Sequence, residues 1–246
     1  MEAEVDIAIC LRQWDFSETS QTAALLCRRL GLVRVLGKGT KRPDPRFSGG
    51  LEIGTLGEAV IVPKNSSNLA TLGGWDLRET FRNSRSDLQG YYAAMFALEV
   101  AQNMLPEGEP HPIVFDALSA LLARSTEEPW QIAVTDYLWR VLGDTGYQPS
   151  TEGYTEGPCV FSPRLGSVLS PGRVTRSDSA WSVLDTTAAA LGELEAQGTA
   201  QGLDIEQAER VGRLLAWYVR ELAERELSTL RLLFGETTPK PLFPHE

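Results

Sequence analysis

The side chains in this sequence whose type and spacing could do chemistry are cations. Residues 28–46, RRLGLVRVLGKGTKRPDPR, hold Arg28, Arg29, Arg34, Lys38, Lys41, Arg42 and Arg46 against one acid, Asp44, a local charge of +6. The whole chain carries a formal charge of −10. A cationic stretch inside an acidic protein is the footprint of a surface that meets phosphates. A solvated strand and loop with no ligand would carry the same charges. The acidic remainder repels nucleic acid and acidic membranes, so any such contact has to be local.

Other chemistries lack their residues. His111 lies in a proline-rich turn, where it reads as a surface residue, and His245 is next to the C-terminus. Neither is placed to pair with a nucleophile. Gly37-Lys38-Gly39-Thr40 resembles part of a phosphate-binding loop, but the spaced first glycine is missing and no helix follows. No CxxC pair exists from which to build a zinc site. The 33 carboxylates are spread along the chain and read as solubilising surface. An enzymatic reading has no residues to rest on. Cys10, Cys27 and Cys159 suit free thiols in a reducing cytoplasm better than a disulfide framework. The acidic start, MEAEVDIAIC, lacks the basic region of a signal peptide. No run approaches the ~18–20 apolar residues that cross a bilayer, so no membrane association is expected.

The elements that must position the cations follow from periodicity. In residues 5–12, Val5, Ile7, Ile9 and Leu11 alternate with Asp6, Ala8 and Cys10, as in a strand with one buried face. Residues 22–29 and 32–38 are apolar, branched runs joined at Gly31, a hairpin pattern. Residues 37–50 form a loop by their glycines and prolines, and 51–63 and 69–77 supply two more strands. Five short strands in about eighty residues suit a small barrel such as an oligonucleotide-binding (OB) fold, and other small barrels share that periodicity. Trp14, Phe16 and Phe47 could stack bases or fill the core. Beside a strand bearing Arg34 and a basic loop, they would serve a binder that tracks phosphates without reading sequence.

From about Asp76 the period becomes helical, with Leu88, Tyr92, Met95 and Glu99 on one line and Tyr91, Leu98 and Leu105 beside it. Pro112 opens a second helix with Phe115, Leu118 and Leu122 inward. A third covers 129–143, an irregular stretch 144–176, and two more helices 179–197 and 204–234, before a loose tail at 239–244. The expected organisation is α+β, with a β-barrel domain over 1–78 and a mainly helical domain over 79–238. Arg78, Arg82 and Arg85 look like a secondary basic stripe. Arg210, Arg213, Arg220, Arg225 and Arg231 alternate with acids at the spacing of ordinary intrahelical ion pairs.

An ordered set of pieces resembles the RecO family of bacterial recombination and repair proteins. The set includes Ser17-Glu18-Thr19-Ser20, the hairpin from Gly31 to Gly39, the basic loop to Arg46 and Gly50-Leu51-Glu52. It continues with Tyr91/Tyr92, Leu105-Pro106-Glu107-Gly108-Glu109-Pro110, Phe115-Asp116-Ala117-Leu118, Gly146-Tyr147-Gln148-Pro149 and Phe161-Ser162-Pro163. The resemblance implies an N-terminal OB fold, a helical C-terminal domain and a non-enzymatic mediator of repair. Such a mediator binds single- and double-stranded DNA, anneals complementary strands and works with RecR in the cytoplasm at the nucleoid. It helps RecA replace single-strand-binding protein on gapped DNA. The implied DNA contacts map to Arg34 and Lys38, with Lys41, Arg42 and Arg46 in the adjoining loop and Arg28 and Arg29 on the preceding strand end. An adaptor of the repair complex with little DNA affinity of its own is the alternative. Many members carry a four-cysteine zinc ribbon. Here only Cys159 remains and Ser170 stands at a cysteine position, so no zinc or other cofactor is expected, and the region must be held by packing. Binding of the acidic single-strand-binding-protein tail is also in doubt, because the helix before Gly146 offers Asp136 as an exposed acid and only Arg140 as a base.

Overall fold

Short β-branched and apolar runs, each cut by glycine or a polar turn, give the first half of the chain its strands. The computed structural model describes residues 2–43, 46–48, 50–63, 69–175, 179–236 and 238–242; Asp44, Pro45, Gly49, Arg176, Pro244 and His245 lie outside them. Strands β1 (Glu4–Asp15), β2 (Gln21–Cys27), β3 (Gly31–Gly37), β4 (Phe47–Ser48), β5 (Leu56–Val62) and β6 (Ala70–Glu79) form one sheet in the order β3-β2-β1-β5-β6-β4. Residues 35–37 also pair in parallel with 70–72 of β6. Five strands thereby close on themselves, with β4 attached along β6, the connectivity of an OB-like barrel.

Ala8 and Cys10 of β1, Ala23, Leu25 and Cys27 of β2, Val35, Ala59, Ile61, Leu72 and Trp75 fill the interior. This corrects the inner face of β1: Ala8 and Cys10 point into the barrel, Val5 is exposed, and Ile9 is buried on the outer side. Gly57 leaves the room that the Trp75 indole occupies, since a Cβ there would lie 2.5 Å from the ring. The strand expected from residue 51 begins only at Leu56, because Gly54 (φ +69°) turns the chain and its amide bonds the Cys10 carbonyl at 2.8 Å.

Strand β6 continues past the expected change at Asp76, and α1 (Leu88–Met104) starts where Asp87 accepts the Gly90 amide at 2.7 Å. The buried face of α1 is Ala93, Ala94, Phe96, Ala97, Leu98, Val100 and Ala101, so Leu98 is inward as its spacing predicts, while Leu88 and Tyr91 are exposed. Alanines at 93, 94, 97 and 101 pack beside Phe96, Leu98 and Val100 on this face. Helix α2 (Pro112–Ala123) starts at Pro112 and buries Phe115, Leu118 and Leu122, as expected. His111, expected at the surface, is buried at the start of α2. Barrel, α1 and α2 belong to one compact unit, Met1–Thr126.

The second compact unit is Glu127–Glu246. It contains α3 (Trp130–Asp144), β7 (Cys159–Ser162), β8 (Ser167–Leu169), β9 (Trp181–Val183), α4 (Asp185–Gln197), α5 (Ile205–Ala223) and α6 (Leu230–Phe234). The stretch expected to be irregular therefore carries part of a three-stranded sheet, β8-β7-β9. The helix expected from residue 179 starts at Asp185, because 181–183 pair with β7 instead. The late helix is broken at Glu224, whose φ of 50° is left-handed. In the expected tail, Lys240 and Leu242 bond backbone to backbone with Ser182 and Ala180.

Packing holds the region where a zinc ribbon would stand. Val160, Leu169, Val174 and Ala180 cluster with Leu242, and Phe161 stacks on Trp181 at 5.7 Å and meets Tyr218 edge-on at 5.0 Å. The Cys159 thiol is buried and donates to the Val183 carbonyl at 3.4 Å. Among the described residues no three His, Cys, Asp or Glu side chains gather closely enough to hold a metal. No described helix is long and apolar enough to cross a membrane.

Candidate nucleic-acid interface

Register decides which cations share a surface. Arg12 pairs with Ala24 and Ala24 with Arg34; in the next row Trp14 pairs with Thr22 and Thr22 with Leu36. Directly paired residues point the same way, so Arg12, Trp14 and Arg34 lie together on the outer face of β1–β3. Arg12 reaches that face because a β-bulge between Cys10 and Arg12 shifts the alternation. Unbroken alternation would have aimed Arg12 inward with Cys10. Its guanidinium lies over the Trp14 ring at 5.2 Å, and Trp14 and Phe16 are 41% and 62% exposed. Phe47, the third aromatic, is core. Arg12 was not singled out from the sequence, and the bulge that exposes it leaves no compositional signal.

The basic loop sits at the same end of the sheet. Lys38 follows β3 directly. The Lys41 amide bonds the Thr19 carbonyl at 3.2 Å and the Arg42 amide bonds the Gly39 carbonyl at 3.0 Å, so residues 38–42 form a turn docked on the β1–β2 connection. Lys41 Nζ lies 2.6 Å from Asp15 Oδ1. Lys38 and Arg42 are exposed and make no ion pair among the described residues. Arg34 Nε lies 2.6 Å from Glu107 Oε1, with the two side chains 56% and 44% exposed. Arg46 is exposed, its guanidinium 5.9 Å from the Phe47 ring, and its carbonyl accepts the Trp75 amide at 2.7 Å.

Arg28 and Arg29 lie at the other end of the hairpin, about 20 Å away at ~3.3 Å per residue. Arg28 grips Asp116 through Nε at 3.0 Å and Nη2 at 2.8 Å. That hydrogen-bonded pairing holds the Asp116 carboxyl below the ordinary carboxylate range and raises Arg28. The amides of Arg29 and Leu30 donate to the buried Asp6 carboxylate at 2.8 and 3.0 Å. These two arginines fasten the hairpin tip. The structure thus gathers Arg34, Lys38, Lys41 and Arg42 with Arg12 and separates Arg28 and Arg29 from them.

In the remaining basic stripes, Arg78, Arg85, Arg210, Arg213, Arg220 and Arg231 each have an acidic partner. Arg78 contacts Asp76 at 3.1 Å and Glu58 at 3.6 Å from strand β6, and Arg85 contacts the Ile53 carbonyl at 2.7 Å. Arg78, Arg82 and Arg85 do not share a helix. On α5, Arg210 pairs with Glu206 and Arg213 with Glu209, one turn apart, as the spacing anticipates. Asp136, expected to be exposed, is half-buried and accepts from Arg140, Thr199 and the Ala200 amide. The outer β1–β3 face offers cations to phosphates and exposed rings to flat groups.

Two family models match consecutive parts of the chain, Recombination protein O N terminal over residues 1–81 and Recombination protein O C terminal over 85–231. The chain is similar to the DNA repair protein RecO of Rhodopirellula baltica, 33% identical over 116 residues, 47% of this chain and 43% of that one. It is 24% identical over 156 residues to that of Prosthecochloris aestuarii, covering 63% and 57%. Against that of Desulforudis audaxviator it is 28% identical over 193 residues, covering 76% and 77%. Against the first two, the match spans about half of the relative's length.

Proposed function

The chain belongs to the RecO family of DNA repair proteins, and from that premise we propose that it binds DNA on the outer face of β1–β3 and catalyses no reaction. The observation that carries this reading is the row of Arg12, Trp14 and Arg34, continued by Phe16, Lys38 and Arg42, on an OB-like barrel. Phosphates meet the guanidinium and ammonium groups, and bases lie on the exposed rings, which favour no particular sequence. Lys41 and Arg46 flank the path. Arg28 and Arg29 act indirectly, by holding the hairpin that presents Arg34.

A face of this kind binds weakly and reversibly at physiological salt. It can hold a single strand, let it slide against a complement and release the duplex once the bases stack on each other. This supports annealing of complementary strands and, with RecR, the loading of RecA on gapped DNA covered by single-strand-binding protein. The proposed site of action is the cytoplasm, at the nucleoid. The net charge of −10 and the paired state of Arg34 and Lys41 favour a second reading, an adaptor with little DNA affinity.

The deciding experiment is anisotropy with a labelled oligothymidylate across a salt series, followed by addition of a complementary strand. Lys38→Ala with Arg42→Ala is expected to weaken binding roughly tenfold and to reduce the slope of log K against log salt by about 1.4, two phosphate contacts on a single strand. Unchanged affinity and slope would remove this face from the reading. Wild-type protein that co-purifies with RecR yet neither binds nor anneals would establish the adaptor.

A further inference from the structure

Ahead of the stretch that pairs with β6, the strand that carries Arg34 is met by the segment that carries Glu107. Leu32 and Glu107 form an isolated parallel bridge, and the Gly108 amide donates to the Leu32 carbonyl at 2.9 Å. Gly31, with φ +72°, has no Cβ, and the backbone of Glu109 occupies the space one would need. The Glu107 backbone is therefore fixed to β3 one turn of the pleat from Arg34, and its carboxylate is delivered to the guanidinium at 2.6 Å. At the end of β1, beside the basic loop, Asp15 reaches Lys41 at 2.6 Å. Carboxylates of the protein itself thus occupy two of the cations that would meet phosphates.

We propose that Glu107 is a built-in competitor of the DNA phosphate for Arg34, an inference that rests on the outer β1–β3 face being the DNA site. Both partners are about half exposed, and an exposed ion pair is weak, so a phosphate can displace the carboxylate. A cation already neutralised by its own protein releases fewer counterions when it takes a phosphate. Glu107 therefore lowers both the affinity and the salt dependence of binding, and Asp15 does the same through Lys41. The face is tuned for short residence, which is what exchange of one strand for another requires.

The test uses the full chain with labelled oligothymidylate between about 50 and 200 mM salt. Glu107→Gln keeps the shape of the side chain and removes its charge. It is expected to tighten binding threefold to tenfold and to steepen the salt slope by about 0.7, one additional released contact on a single strand. Glu109→Gln removes the same charge two residues away, where no ion pair is made among the described residues, and is expected to leave the slope unchanged. Asp15→Asn is expected to act like Glu107→Gln, so the competition is read at two separate positions. The proposal is overturned if Glu107→Gln changes neither quantity, if Glu109→Gln changes both equally, or if Glu107→Gln keeps its gain after Arg34→Gln. A silent Glu107→Gln beside a weakened Lys38→Ala/Arg42→Ala overturns the competition and leaves the DNA face standing. If both are silent, the face falls and the competition with it.

Discussion

Trp14 keeps two-fifths of its surface in water while the Arg12 guanidinium covers one face of its ring. A cation over an indole is worth about 0.5–1 kcal/mol at an exposed site, enough to bias the side chain toward one orientation and leave the second ring face open. If that face stacks a base, Trp14→Ala should lower single-strand affinity by about 1–3 kcal/mol. The salt slope should stay the same, because stacking releases no counterions. Parallel salt titrations of Trp14→Ala and Lys38→Ala check this: the first should move the intercept and the second the slope. The thiols carry the opposite kind of information. Burial pushes Cys10 up to about 12 and Cys27 higher still, and it raises Cys159. Thiolate is the reactive form, so all three should resist alkylation at pH 8 in the native protein and react once urea unfolds it. A fast-reacting native thiol, found by mass spectrometry, would contradict this.

At the scale of elements, the β2–β3 hairpin is the piece that presents Arg34, and its tip depends on Asp6. That carboxylate is buried and accepts the two consecutive amides of Arg29 and Leu30. Asp6→Ala leaves both amides without their acceptor, and each buried unsatisfied group costs about 1–3 kcal/mol. Urea unfolding should show a loss of about 2–4 kcal/mol, whereas Arg29→Ala, which keeps the amides bonded, should cost under about 1 kcal/mol. The hairpin itself was legible in the sequence, because Gly31 between two branched runs is a local signal, as is Pro112 at the start of α2. What was not legible depends on partners distant in sequence. Trp181 has helical spacing with Leu184 and Ala188, yet it pairs with β7 twenty residues earlier. Leu88 and Tyr91 look like a core stripe but lie on the outside, since α1 buries instead the face of Ala93, Phe96, Ala97, Val100 and Ala101. Within the candidate site, Arg34 and the residues after it could be read from charge. The pairing of Arg34 with Glu107 and of Arg28 with Asp116 spans 73 and 88 residues, and no local pattern announces it.

For the whole molecule, a charge of −10 makes the balance of carboxylates decide both stability and binding as pH falls. Two aspartates, one in each compact unit, stand below the ordinary value near 3.8. Asp116 is held down by its hydrogen bonds from Arg28. For Asp136, burial pushes the carboxyl up, but bonds from Arg140, Thr199 and the Ala200 amide outweigh it. A carboxyl lowered on folding binds its proton more readily in the unfolded chain. Its contribution is therefore complete above about pH 4 and is lost as pH falls through the lowered folded value. Stability should be flat from neutrality to about pH 5 and decline steeply below pH 4. Asp136→Asn should lower stability at pH 7, because it removes the charge that Arg140 pairs with, while making the decline below pH 4 shallower. Asp116→Asn should do so more weakly, since its pair is exposed and largely screened by solvent. Chemical denaturation of wild type and both variants at several pH values measures these curves; wild-type and Asp136→Asn curves that run parallel below pH 4 would show that the bonds to Asp136 do not favour its charged form.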